Sequence, residues 1–141
     1  MQNIYIEHKP ITVKHLALKM QQNKLKYRSE LYDSADVIID GYIEALLLYC
    51  YPHNILVEAD ENGVWTAKTG AGELHTIDDY INHDGTATFY AEGTKLKYSQ
   101  LPAVKWNKLN ETVLYVTIIS PSNSQFIKDL LIRNYRHCFL I

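Results

Sequence analysis

Thr112-Val113-Leu114-Tyr115-Val116-Thr117-Ile118-Ile119 is the stretch whose reading decides the fold class. It is built almost wholly from β-branched and aromatic residues, which suit a pleated strand. Its apolar residues run on without a polar alternation, the pattern of a central strand covered on both faces. Ser120-Pro121 stops it, because proline cannot donate to a sheet ladder. Ser122 and Gln125 then match a capping box. Phe126, Ile127, Leu130, Leu131 and Tyr135 follow at helical spacing, with Arg133 and Arg136 in the last turn, where the helix dipole favours cations. The end, Cys138 to Ile141, reads as an edge strand or packed tail.

Working upstream, Ile55 to Ala59 and Val64 to Lys68 are strand-like and flank Asp60-Glu61-Asn62-Gly63, whose Asn-Gly pair signals a turn. Thr86 to Ala91 and Lys95 to Tyr98 form a second expected hairpin about Glu92-Gly93. Ile4 to Glu7 is a short strand candidate closed by Pro10. Thr12 is a usable N-cap for a helix in which Val13, Leu16, Ala17 and Met20 make one apolar stripe. A second helix is expected from Leu31 to Tyr49, with Ala35, Ile38, Ile39, Tyr42, Ile43, Leu46, Tyr49 and Cys50 on its apolar face. Gly70-Ala71-Gly72 reads as a break. Thr76 to Ile81 reads as a short helical turn capped by Thr76, with Asp78 and Asp79 in its first turn. The expectation is one α+β domain over residues 1–141. It has two N-terminal helices, a mostly antiparallel sheet of about five strands, and a C-terminal packing helix.

A chain of 141 residues, 47% hydrophobic and 21% charged, can bury a core without metal or disulfide support. Cys50 and Cys138 lie in apolar runs and read as buried thiols. The N-terminus lacks the basic-then-apolar pattern of a signal peptide, and the longest strongly apolar stretch, Ala45 to Tyr51, is too short for a bilayer. These features set the expectation of a cytoplasmic protein with no membrane contact.

The charges are sorted along the chain. Residues 1–29 hold six Lys or Arg and one acid; residues 30–92 hold thirteen acids and only Lys68; residues 93–141 hold seven bases and two acids. The net charge of −2 therefore conceals a strongly acidic middle between two basic ends. Asp33, Asp36, Asp40 and Glu44 recur at spacings of three and four on the expected second helix, opposite its apolar face. Like charges so placed destabilise a helix by a few tenths of a kcal/mol per pair. The helix dipole accounts for Asp33 and Asp36 but not for Asp40 or Glu44.

Motifs for catalysis are weak. His75, Asp78, Asp79 and His83 lie within nine residues, the one grouping with acid–base or metal chemistry, but their spacing matches no metal motif. No G-x-S-x-G, phosphate-loop or dinucleotide glycine pattern occurs. Asp36 and Asp40 could pair as carboxylates only inside a cleft that raises the pKa of one. Lys95, Lys97, Lys105 and Lys108, with Tyr98 and Trp106 interleaved, read as solvated strands and lack any nucleic-acid recognition module.

An acidic surface attracts basic partners and repels nucleic acid. The expected function is thus a small binding protein that neutralises a basic protein partner, such as a bacterial nuclease toxin met by its immunity protein. Asp33, Asp36, Asp40, Glu44, Asp60 and Glu61 would meet the cations, and Tyr32, Tyr42 and Trp65 would supply desolvated contact. No cofactor or metal is called for. The alternatives are a phage-type nuclease inhibitor that mimics DNA, a small enzyme using His75, Asp78, Asp79 and His83, and a homo-oligomer pairing its own acidic and basic zones.

Overall fold

The structure, a computed structural model, describes residues 6–27, 38–48, 55–120 and 133. Apart from Arg133, the expected C-terminal helix and the tail with Cys138 lie outside these residues, as do Tyr32, Asp33, Asp36 and Cys50. In chain order the elements are β1 (Ile6–Thr12), α1 (Val13–Gln21), β2 (Leu25–Lys26), α2 (Tyr42–Leu47), β3 (Ile55–Ala59), β4 (Trp65–Ala67), α3 (Ala71–Asn82), β5 (Thr86–Phe89), β6 (Thr94–Lys97), α4 (Ala103–Glu111) and β7 (Val113–Ile119). The class is α+β, with a five-stranded sheet ordered β1-β7-β3-β4-β2 and a separate β5–β6 hairpin.

The sheet is mixed, which corrects the expectation of a mostly antiparallel one. β1–β7 and β3–β4 are antiparallel, whereas β7–β3 and β4–β2 are parallel. Parallel neighbours need a crossover, and residues 60–112, carrying α3, the hairpin and α4, provide it between β3 and β7. Ile55 pairs with Val116 and Val57 with Ile118, so these side chains share one face. They join Leu16, Leu46, Leu74, Ile77 and Leu109 in the core. Leu56 and Ile119 are buried on the opposite face, so β3 and β7 are covered on both sides, as the unbroken apolar run predicts. Tyr115 is the exposed exception. β1 continues through Pro10 because it is an edge strand, where a missing N–H breaks no ladder.

Thr12 caps α1 as expected: its hydroxyl accepts the His15 N–H at 3.1 Å, and Val13, Leu16, Ala17 and Met20 are all buried. The second helix differs. Gly41 sits at φ +78°, a left-handed conformation that no right-handed helix contains, so α2 begins at Tyr42 and Asp40 lies outside it. α3 is also longer than expected. Gly70, at φ +81°, precedes it, and a Cβ there would come within 3.0 Å of Ile55. Gly-Ala-Gly is thus a helix start that needs a bare backbone, not a break. Thr76 is interior: its hydroxyl donates to the Gly72 carbonyl (2.8 Å) and accepts the Ile39 N–H (2.9 Å). Lys105, Trp106 and Lys108 lie on α4 rather than on strands. No helix among the described residues is long and apolar enough to cross a membrane.

Candidate functional site

Two constellations stand out, and each is organised by a tyrosine the sequence reading left aside. The first gathers three of the four grouped His and Asp residues. β2 and the residue after it read Leu25-Lys26-Tyr27, with Leu25 and Tyr27 buried and Lys26 exposed, a strand alternation that directs the phenol inward. The Tyr27 hydroxyl donates to Asp78 Oδ2 at 2.7 Å. A phenol has one proton, so the His75 Nδ1 at 2.9 Å must be the donor to the same oxygen. Asn82 holds the other side of Asp78 (2.7 Å) while also donating to the Ala17 carbonyl of α1 (2.8 Å). His83 Nε2 stands 3.8 Å from Asp78 Oδ2. An open cavity of about 520 Å³ adjoins this chain, lined by Met20, Asn23, Lys26, Tyr27, Asp78 and His83 among others. Asp79 is turned elsewhere, packed on the backbone of Gly85. The arrangement can relay a proton between His75 and Asp78. Among the described residues no group of three His, Cys, Asp or Glu could hold a metal ion.

The second constellation lies where α2 meets the tip of the β5–β6 hairpin. Glu44 accepts the Tyr90 N–H through Oε1 and the Ala91 N–H through Oε2, both at 3.1 Å. The Tyr90 hydroxyl donates to Asp40 Oδ2. The ring leans on Gly41, where an added Cβ would meet Tyr90 Cε2 at 3.7 Å. Tyr90 is nevertheless 61% exposed. The hydrogen bond to Asp40 holds its phenol pKa above the usual value, with added contributions from desolvation and from the charges of Asp40 and Glu44. A carboxylate offers about four lone-pair positions, so both acids keep acceptor capacity toward solvent. Their orientation is already set by the hairpin.

The other expected contact residues are distributed differently. Asp60 shapes its own turn, its Oδ1 accepting the Asn62 and Val64 N–H groups at 2.8 and 2.9 Å, and Glu61 is exposed beside it. Tyr42 and Trp65 are core residues, 8% and 6% exposed, so neither ring is offered to a partner; Tyr90 is the exposed aromatic among acids instead. Lys19 lies over the Trp65 ring at 4.1 Å, and burial followed by repulsion from Lys9 and Lys24 lowers its pKa. Several acids have partners within the protein. Glu58 faces Lys68 at 3.8 Å, and Glu92 pairs with Lys105. Asp84 accepts the Ser99 N–H and hydroxyl, which lower its pKa. Asp40 thus precedes α2 and Glu44 lies in its first turn, while Asp60 and Glu61 lie on the β3–β4 turn as expected. Trp106 stacks on Tyr98 at 5.8 Å, with Lys14 6.0 Å from the indole.

Comparison with protein-family models, curated proteins and solved structures returned no match.

Proposed function

We propose that this protein is a binding protein that neutralises a basic partner, in the manner of an immunity protein against a nuclease-type toxin, and that Asp40, Glu44 and Tyr90 form the centre of its contact surface. One observation carries this reading: an exposed tyrosine is held between two carboxylates that come from a region remote in sequence. Tyrosine is favoured in contact hot spots because its ring buries area while its hydroxyl finds a polar partner. Preset carboxylates lose little freedom on meeting a cation, and complementary charge speeds association. Ile38, 45% exposed two residues before Asp40, adds apolar area. The test is capture of partners from the native host on the wild-type chain and on the double variant Asp40→Lys, Glu44→Lys. The expected outcome is a basic protein, released by salt, on the wild type alone. An equal yield on both would remove this surface from the interface.

A second reading is a small enzyme using His75, Asp78 and His83, favoured by the hydrogen-bonded chain through Tyr27 to an open cavity. Against it, the described residues lining that cavity include no Ser or Cys nucleophile.

A further inference from the structure

The open cavity of about 520 Å³ is walled by two charges of opposite sign that do not meet. Its described lining takes in Met20 and Asn23 at the end of α1, Leu25 and Lys26 of the edge strand β2, and Asp78 and His83 of α3 and its cap. Sites for small organic ligands usually span about 300–1,000 Å³, so this space has room for a metabolite-sized molecule.

Asp78 is the negative wall. It is held from both sides: the Tyr27 hydroxyl donates to Oδ2 and the Asn82 amide to Oδ1, each at 2.7 Å. A carboxylate offers about four lone-pair positions, so two stay open on an acid whose orientation is already set. The helix ends add a second, independent preference. α1 ends at Gln21 and α3 at Asn82, both beside this cavity, and a helix C-terminus favours a cation. Lys26 is the positive wall. It is exposed, and among the described residues no carboxylate forms an ion pair with it. Its flexible stem lets the ammonium follow a ligand. The Asn23 amide and the His83 imidazole can also donate to an anionic group. Met20 and Leu25 are buried and apolar, a surface for hydrocarbon.

We infer that the cavity between α1, β2 and α3 binds a zwitterion of the α-amino-acid class, with its ammonium on Asp78, its carboxylate on Lys26 and an apolar side chain on Met20 and Leu25. The site shares no residue with the Asp40–Glu44–Tyr90 contact. It depends neither on the basic partner proposed above nor on a reaction within the cavity.

The test follows the amide resonances of the intact chain during titration with L-norleucine, and with two molecules that each lack one of its charges, hexanoate and pentylammonium. Norleucine is expected to shift Asn23, Lys26, Asp78 and His83 saturably and to leave Tyr90 and Ala91 unmoved. Hexanoate and pentylammonium should each bind about tenfold more weakly, the scale of one charge-assisted hydrogen bond. Lys26→Gln, at an exposed position, should weaken norleucine by a similar factor and leave pentylammonium unaffected. Asp78→Asn should weaken norleucine and leave hexanoate unaffected; if that variant fails to fold, Lys26→Gln and the two single-charge ligands decide the matter. If hexanoate or pentylammonium matches norleucine, only one charged wall is engaged and the zwitterion site is overturned. It is equally overturned if norleucine leaves these four amides unmoved, or binds Lys26→Gln as tightly as the wild type.

Discussion

The same chemical pair occurs twice in this molecule, in opposite settings. Tyr27 donates to Asp78 across 51 residues, and Tyr90 donates to Asp40 across 50. Tyr27 is 8% exposed and Tyr90 is 61% exposed. In the first setting the phenol is largely withdrawn from water, so the bond fastens the end of β2 to α3 and, through Asn82, to α1. In the second, water can take over at once. Breaking the exposed pair is therefore expected to leave the fold intact, and under the proposed function the same groups would turn to a cation of the partner. Burial separates two chemically equivalent contacts, one largely withdrawn from water and one open to it.

The comparison is broken most directly at Tyr27. Tyr27→Phe removes a hydroxyl that both His75 and Asp78 use, and should lower unfolding stability by about 1–3 kcal/mol, read from urea transitions. A loss no larger than that of a surface substitution would show that the network is solvated, and the contrast with Tyr90 would vanish. Glu44→Ala is intermediate. It frees the Tyr90 and Ala91 N–H groups at the hairpin tip, with an expected loss of about 0.5–1.5 kcal/mol and a larger effect on partner affinity than on stability.

Tyr90 itself sharpens the comparison with the smallest effect. Tyr90→Phe should lower the thermal midpoint only slightly, less than either substitution above. Because Asp40 holds the Tyr90 pKa above its usual value, the protonated phenol is favoured in the fold. That contribution is complete below the unfolded tyrosine pKa and is lost as pH rises through the folded value. Ultraviolet titration should show Tyr90 ionising at lower pH in Asp40→Asn. An unchanged midpoint would mean that the hydrogen bond does not persist in solution.

Much of the scaffold was legible where the information is local. The α1 stripe and its Thr12 cap follow from helical periodicity, and the Asp60–Gly63 turn follows from backbone freedom at Gly63, which adopts φ +77°. The run ending at Ile119 announced a strand covered on both faces because it lacks alternation. Legibility failed where a local signal had two meanings. Gly41 sits within an otherwise helical pattern, yet its positive φ cuts that pattern and removes Asp40 from the helix. Gly-Ala-Gly reads as a break until Ile55 is seen packed against Gly70. Lys105, Trp106 and Lys108 carry no strong period, and only their place on α4 beside α1 settles their state.

The candidate sites were half legible for the same reason. His75, Asp78 and His83 advertise themselves by composition. Tyr27 and Tyr90 do not, since one phenol among eleven gives no sign of its partner. What the sequence by itself determined is the inventory: apolar periods that must be buried, turn residues that permit reversal, and carboxylates concentrated in the middle of the chain. What only the tertiary structure decided is which carboxylates meet which donors, and in how much water. Those meetings join residues some fifty positions apart, and chain-local propensity says nothing about separations of that length. They are set by the sheet order and by the packing of α3 and the hairpin around it.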